Sequence, residues 1–307
     1  MKAVRLHRFN DRPATEDIAV PDIASDQVLL RVYAAALNPL DALVVSGAAR
    51  HFFDISLPIT LGTDFVGVIE RVGAAVTQWQ PGDRVLVWTD AGSSGAVAEF
   101  AAVAATACVA LPPGLSAAEG AAIPTAGITA WHALFSNARL KAGETVLIHA
   151  AAGGVGSFAV QFARKAGARV IATASGDGLD LVRHLGADEV IDYTAEDFTA
   201  IASNVDVVLD LVGGDTQTQS YAVLRAGGRL VSTAMPPDEA TANAHGVLAS
   251  MFYAKPYADR LDQLVASIVA QGVRVVIDST ASIDAFDQAW ARLTSRKARG
   301  KIVVSLV

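Results

Sequence analysis

Apolar positions along the chain fall into two textures. Short apolar runs at residues 27–36, 65–72, 84–88 and 100–111 are separated by Gly, Pro and Asp, the punctuation of strands and turns. This pattern predicts a β-rich region from residue 2 to about 111. After Pro112-Pro113-Gly114-Leu115-Ser116, apolar runs at 145–149, 169–173, 189–191, 205–210 and 229–233 alternate with helical patterns, which predicts βαβ units around a parallel sheet. Between the first two of these runs Val155, Ala159, Phe162, Ala163 and Ala166 recur at helical spacing, so 156–166 is the expected crossover helix. From about residue 255 the pattern shifts again, to a helix at 259–271, a strand at 274–277, a helix at 283–293 and a last apolar strand at 302–307. The parallel series is expected to close with an apolar strand within 246–253, at a sheet edge that must be covered or paired.

Composition narrows the class. A chain of 307 residues leaves room for two domains. Hydrophobic residues make up 52% and charged ones 18%, below the usual charged share of about 25%, so a large core is expected and disorder is not. Net charge is 24 minus 31, or −7, with a pI near 5.3, which argues against a nucleic-acid surface. The longest weakly polar stretch, ending at Pro112-Pro113, falls short of the roughly 20 residues of a membrane span. The start, Met1-Lys2-Ala3-Val4-Arg5-Leu6-His7-Arg8, has no unbroken apolar core followed by a cleavage site, so a cytoplasmic protein is expected. A single cysteine, Cys108, excludes an intramolecular disulfide and any zinc site built from several cysteines; it reads as a small buried apolar residue rather than a reactive thiol.

The most informative stretch is Thr145-Val146-Leu147-Ile148-His149-Ala150-Ala151-Ala152-Gly153-Gly154-Val155-Gly156, a buried strand running into a glycine turn that opens a helix. Aligned on Gly-X-Gly-X-X-Gly, Ala151 stands in the first position, Gly153 in the second and Gly156 in the third. The second glycine lets backbone approach a pyrophosphate, the third lets helix pack on strand, and the helix N-terminus offers N–H groups to phosphate. The alternative is a tight turn that carries no ligand; the βα alternations downstream favour dinucleotide binding. At the end of the next strand, Ala172-Thr173-Ala174-Ser175-Gly176 lacks the carboxylate that an NAD-preferring fold places on the ribose. Ser175 reads either as an ordinary loop serine or as a hydroxyl donor to the 2′-phosphate of NADP. Asp177 nearby opposes the second reading, and Arg183 one helix turn on is a candidate for the missing charge.

Seven ordered motifs resemble the medium-chain dehydrogenase/reductase superfamily, in its zinc-independent quinone oxidoreductase branch. They are Val28-Leu29-Leu30-Arg31-Val32 leading to Asn38-Pro39-Leu40-Asp41; Pro58-Ile59-Thr60-Leu61-Gly62-Thr63-Asp64-Phe65-Val66-Gly67-Val68-Ile69; Pro81-Gly82-Asp83-Arg84-Val85; Thr125-Ala126-Gly127-Ile128-Thr129-Ala130-Trp131; the glycine turn Ala151 to Gly156; Leu185-Gly186-Ala187-Asp188-Glu189-Val190-Ile191-Asp192-Tyr193; and Arg299-Gly300-Lys301-Ile302-Val303-Val304. The resemblance implies an α/β fold in which a Rossmann doubly wound parallel sheet, residues 120–254, is inserted into a β-rich GroES-like catalytic domain, 1–119 completed by 255–307. It implies a cleft holding nicotinamide and substrate. It also implies NADPH as hydride source and a homodimer joined through sheet edges.

In the zinc-dependent branch a cysteine stands where this chain has Asn38, and Gly-His-Glu where it has Gly62-Thr63-Asp64. Asn38 with Thr63 offers zinc no usable pair of ligands. Without a Lewis acid, alcohol oxidation falls behind, and acceptors that delocalise charge themselves, quinones and α,β-unsaturated carbonyls, come forward. Carried over residue by residue, Thr129 falls near the nicotinamide, Ala152, Gly153, Gly154 and Val155 near the pyrophosphate, Ser175 and Tyr193 near the adenosine phosphate, and Val212 with Gly213 near the ribose. Asn38 and Asp41 fall on the substrate side as the catalytic candidates. Asn38 reads as a hydrogen-bond donor to a developing oxyanion or as a brace for the loop before Pro39; Asp41 reads as a substrate contact or as a helix cap; Thr129 has a helix-interior alternative. The tyrosine that often follows the asparagine by five positions is here Leu43. The function expected is hydride transfer from NADPH to a small hydrophobic quinone or enone, the alternatives being a trans-acting enoyl reductase and an NADPH-binding sensor or structural protein with little turnover.

Overall fold

The computed structural model describes residues 1–93, 95–256 and 258–307. Sixteen strands are present among them: β1 (Lys2–Leu6), β2 (Ala14–Asp17), β3 (Gln27–Leu37), β4 (Ile59–Thr60), β5 (Asp64–Val72), β6 (Arg84–Trp88), β7 (Phe100–Ala104), β8 (Cys108–Ala110), β9 (Thr145–Ile148), β10 (Arg169–Ala174), β11 (Glu189–Asp192), β12 (Val205–Asp210), β13 (Leu224–Ser232), β14 (Leu248–Met251), β15 (Ile277–Ser282) and β16 (Lys301–Ser305). The chain divides into two compact units. One comprises residues 1–125, 255–271 and 276–307, the other 126–254 and 272–275.

The first unit is built on a sheet ordered β15-β16-β3-β5-β6-β8, with β7 also paired to β3, and a small sheet ordered β2-β1-β4. β3 is its spine. Val28, Leu30 and Val32 point into a core that also takes Phe65 and Ile69 from β5 and Val85 and Val87 from β6. Along Ala34-Ala35-Ala36, β3 pairs with β16 on one side and β5 on the other. Register has a consequence for chemistry: Leu37 pairs with Ile302 and Ala36 with Asp64, so Asn38, Asp64 and Lys301 meet at one end of the sheet.

The second unit is a six-stranded sheet ordered β11-β10-β9-β12-β13-β14, every neighbouring pair parallel. This is the doubly wound order 3-2-1-4-5-6, whose switch point lies between β9 and β12. Both central strands are buried on both faces and therefore read as unbroken apolar runs: Val146, Leu147 and Ile148, and Val207, Val208 and Leu209, are fully buried. No helix among the described residues is long and apolar enough to cross a membrane.

One expected element needs correction. The strand predicted at 274–277 instead runs Ile277–Ser282. Arg274 is withheld from a ladder because the Gln161 amide takes both of its backbone groups, the Arg274 N–H donating to Oε1 at 2.8 Å and Nε2 donating to the Arg274 carbonyl at 2.9 Å. The apolar run 100–111 is two strands, β7 and β8, split by a 3₁₀ turn at Ala105–Ala107 whose Ala105 carbonyl accepts from Trp79 Nε1. Cys108 is buried, and burial pushes its thiol up to about 12, which leaves it unreactive.

Candidate active site

In the second unit the cofactor candidates gather at the carboxyl edge of the sheet. The glycine turn follows β9, Ser175 follows β10, Tyr193 follows β11, and Val212 and Gly213 follow β12. Ala150 takes φ +48° as the chain leaves β9, so the sharp bend falls one residue before Ala151. The helix Gly154–Lys165 then starts with Gly153 as N-cap and no side chain capping it, which leaves its N-terminal end to backbone N–H groups. Gly156 is obligatory: a Cβ there would collide with the Ala150 carbonyl oxygen and the Ala151 backbone. At Gly153 a Cβ would meet only the Ala150 oxygen, at 3.2 Å, as fits a position facing a ligand.

Ser175 and Tyr193 are joined. Ala174 and Asp192 are partners in the ladder, the Tyr193 N–H donates to the Ala174 carbonyl at 3.3 Å, and Ser175 Oγ donates to Tyr193 Oη at 3.0 Å. Tyr193 is 58% exposed. Arg183, the candidate for a compensating charge, is engaged with Asp180 at 2.8 Å.

The loop at Val212–Gly213 is organised by a carboxylate that sequence reasoning passed over as a strand end. Asp210, fully buried, accepts from the Val212 N–H at 3.0 Å and the Gly213 N–H at 2.8 Å with one oxygen, and from Gln217 Nε2 at 2.9 Å and Ser232 Oγ at 2.7 Å with the other. Gly213 has φ +79° and lies against Met235, whose Sδ would sit 2.9 Å from an added Cβ. Thr129, on the helix Pro124–Trp131, is buried. These residues fit a dinucleotide: a glycine turn at an uncapped helix end, a hydroxyl pair after the second strand, and a glycine loop at the switch point.

In the first unit Asn38 and Asp41 are each 2% exposed and their polar atoms are committed internally. Asp41 accepts from the Asn38 N–H at 2.7 Å and the Gly62 N–H at 3.0 Å, tying the start of the helix Pro39–Ser46 to the connection between β4 and β5. The Asn38 amide donates to Asp64 at 3.1 Å and lies 3.4 Å from the Thr63 hydroxyl, while its oxygen accepts from Lys301 Nζ. Lys301 Nζ also donates to the Leu37 carbonyl at 3.0 Å and lies 3.6 Å from Asp64, which further accepts from Thr125 Oγ1 at 2.6 Å and the Thr125 N–H at 3.2 Å. Burial pushes the Asp41 carboxyl up to about 6, against the pull of the Asn38 N–H; burial likewise lowers the Lys301 ammonium, against the attraction of Asp64 and Asp41. The donor set does not fit zinc: an amide and a hydroxyl replace strong ligands, and the carboxylate is already bonded to Thr125 and Asn38 beside an ammonium. Sequence reasoning passed over Lys301 as well; a lysine heading the buried apolar run Ile302-Val303-Val304 is the signal, because a buried ammonium must find partners.

Leu43 and Phe52, on the same helix and just after the turn Ala48–His51, are 46% and 75% exposed.

A doubly wound dinucleotide fold on one unit and a β-rich unit with a buried polar knot define a class, the two-domain nicotinamide-dependent oxidoreductases. Residues 24–113 match the alcohol dehydrogenase GroES-like domain, and residues 185–304 match the family described as zinc-binding dehydrogenase. The chain is 34% identical over 306 residues to a chloroplastic quinone-oxidoreductase homolog of Spinacia oleracea, covering 94% of this chain and 92% of that one. It superposes on the quinone oxidoreductase of Coxiella burnetii with a TM-score of 0.90 at 31% identity, over 100% of this chain and 99% of the other. A mycobacterial protein complexed with NADPH superposes with a TM-score of 0.89 at 28% identity, over 99% of both chains. The chain belongs to the medium-chain dehydrogenase/reductase superfamily, among the quinone oxidoreductase homologues. It is an oxidoreductase with a nicotinamide dinucleotide as cofactor.

Proposed function

We propose that the protein transfers hydride from NADPH to a quinone or an α,β-unsaturated carbonyl compound without a metal. The observation that carries this reading is the knot of Asn38, Thr63, Asp64 and Lys301, in which an ammonium and an amide hold the carboxylate. A conjugated acceptor spreads the arriving charge over its own π system; an alcohol or an isolated carbonyl needs a Lewis acid or a positioned proton donor or acceptor at its oxygen.

The reduced nicotinamide supplies the hydride, and the chain's contribution is orientation. In this reading residues 152–155 hold the pyrophosphate, Val212 and Gly213 the ribose, Thr129 the nicotinamide, and the Ser175–Tyr193 hydroxyl pair the 2′-phosphate that distinguishes NADPH. Asn38 and Asp41 act as supports of the substrate-side loop, since their polar atoms are spent inside the protein. Leu43 and Phe52 offer the apolar surface that a flat acceptor requires. Residues 1–119 with 255–307 would be the catalytic domain and 120–254 the dinucleotide domain. A cytoplasmic homodimer joined through β14, the exposed edge of the parallel sheet, completes the proposal.

The test is steady-state oxidation of NADPH and, in parallel, NADH with a para-quinone, an ortho-quinone, a linear enone, and a primary alcohol run in reverse with NADP. NADPH consumed well ahead of NADH with a quinone or an enone, unaffected by a chelator, is the expected result. NADPH binding with no turnover on any acceptor would return the protein to the sensor or structural reading.

A further inference from the structure

His149 stands between the end of β9 and the bend at Ala150 that opens the glycine turn, and neither the cofactor contacts nor the polar knot uses it. Its ring is buried between β10 and the helix Gly214–Ser220, with the Phe198 ring edge-on at 4.8 Å. Nδ1 lies 3.1 Å from Thr173 Oγ1 and Nε2 lies 3.0 Å from Ser220 Oγ. A third partner decides the tautomer. The Ser220 hydroxyl donates to the Thr216 carbonyl at 2.6 Å, so its oxygen is left to accept, and the proton sits on Nε2. Nδ1 is then bare and accepts from the Thr173 hydroxyl.

Each segment the ring touches leads to a cofactor candidate. His149 itself opens into the glycine turn; Ser175 comes two residues after Thr173; Ser220 ends the helix that begins after Gly213. Main-chain bonds run beside the ring, the His149 N–H to the Leu209 carbonyl at 3.1 Å and the Ala151 N–H to the Thr173 carbonyl at 3.0 Å, but neither reaches the helix. The imidazole does, with one nitrogen on β10 and the other on Gly214–Ser220.

We infer that His149 is a positioning residue for the nicotinamide dinucleotide: its two ring nitrogens hold the glycine turn, the strand end leading to Ser175 and the helix beginning after Gly213 in one register. This rests on the cofactor lying at the carboxyl edge of the sheet. The neutral ring that the geometry needs is the form that burial favours, with its pKa pushed down to about 4 against the opposing charge of Asp210. A ring that only filled space could be exchanged for leucine at no cost to a ligand; a donor at one end and an acceptor at the other could not.

The test is the dissociation constant of NADPH, read by its fluorescence on the full chain, with far-ultraviolet circular dichroism as the check on folding. His149→Leu is expected to raise that constant about tenfold and leave the KM for a quinone acceptor unchanged. His149→Gln, whose amide can donate to Ser220, recovers part of the affinity. Ser220→Ala weakens NADPH in the parent and has no further effect in the His149→Leu background, the signature of coupled residues. A folded His149→Leu protein that binds NADPH like the parent overturns the proposal. Should that variant not fold, Ser220→Ala and Thr173→Val, each deleting one bond of the ring, decide it by the same criterion. A parent that binds neither NADPH nor NADH overturns the cofactor reading itself, an outcome visible before any variant is made.

Discussion

The Lys301 ammonium lies 3.6 Å from the Asp64 carboxylate with both groups withdrawn from solvent. The two come from strands 237 positions apart in the chain, brought together because β16 and β5 flank the same strand, β3. A buried pair of this kind adds little net stability over an apolar pair, but breaking it leaves a charge that cannot be resolvated. Lys301→Met is therefore expected to cost about 3 to 5 kcal/mol in urea denaturation. Lys301→Met combined with Asp64→Asn should cost less than Lys301→Met alone. A double variant weaker than the single one would show that the two charges are not coupled.

Ser175 and Tyr193 carry the proposed preference for NADPH, and the test is to put back the carboxylate that an NAD-preferring site has. Ser175→Asp sets a negative charge where the 2′-phosphate would lie and removes the hydroxyl that donates to Tyr193 at 3.0 Å. The ratio of kcat/KM for NADPH over NADH should fall at least about tenfold, equivalent to about 1.4 kcal/mol. An unchanged ratio would move the 2′-phosphate elsewhere.

Much of the fold was legible for a physical reason. Strands buried on both faces, such as β9 and β12, carry unbroken apolar runs, and a helix that opens on glycines after such a run leaves its first N–H groups free for a phosphate. Legibility failed where a residue's partner is remote in sequence. The run 274–277 reads as a strand until Gln161, more than a hundred positions earlier, takes the Arg274 backbone and the strand starts only at Ile277. His149 reads as the end of an apolar run, and Lys301 as a charge at a strand mouth. Both acquire meaning only from partners remote in sequence, Ser220 and Asn38, that the fold sets beside them. Asn38 and Asp41 were legible as special residues, but sequence alone does not tell a group that faces a ligand from one that holds a loop.

The edge strand β14 presents Leu248 at 71% exposure, beside the half-exposed Met251. An unpaired apolar edge invites another strand. The protein is expected to sediment as a dimer, and Leu248→Lys, which sets like charges against each other across a two-fold axis, to shift it to monomer at micromolar concentration. A parent that sediments as monomer would remove β14 from consideration as a subunit interface.

Two buried titrating groups give the protein an acid response that single variants can separate. Asp41 is held at about 6, above its ordinary 3.8, so between those values the native state binds more protons than the unfolded chain. Its contribution is fully present below about pH 4 and is lost as pH rises through 6. His149 is held at about 4, below its ordinary 6.5, so there the unfolded chain binds more protons; its contribution is present above 6.5 and lost as pH falls toward 4. Each amounts to roughly 3 kcal/mol across its window, on about 1.4 kcal/mol per unit, and the two oppose each other in the parent. Stability differences from the parent, measured by urea denaturation at pH 7, 5.5 and 4.5, isolate each group from the many surface carboxylates common to all the proteins. Relative to the parent, Asp41→Asn should lose ground as pH falls from 7 to 4.5, because only the parent gains from protonating Asp41. His149→Gln should gain ground over the same range, because only the parent carries a ring that resists protonation. Differences that stay flat with pH would mean that neither group is held away from its ordinary value, and that the burial of both is relieved by solvent reaching them.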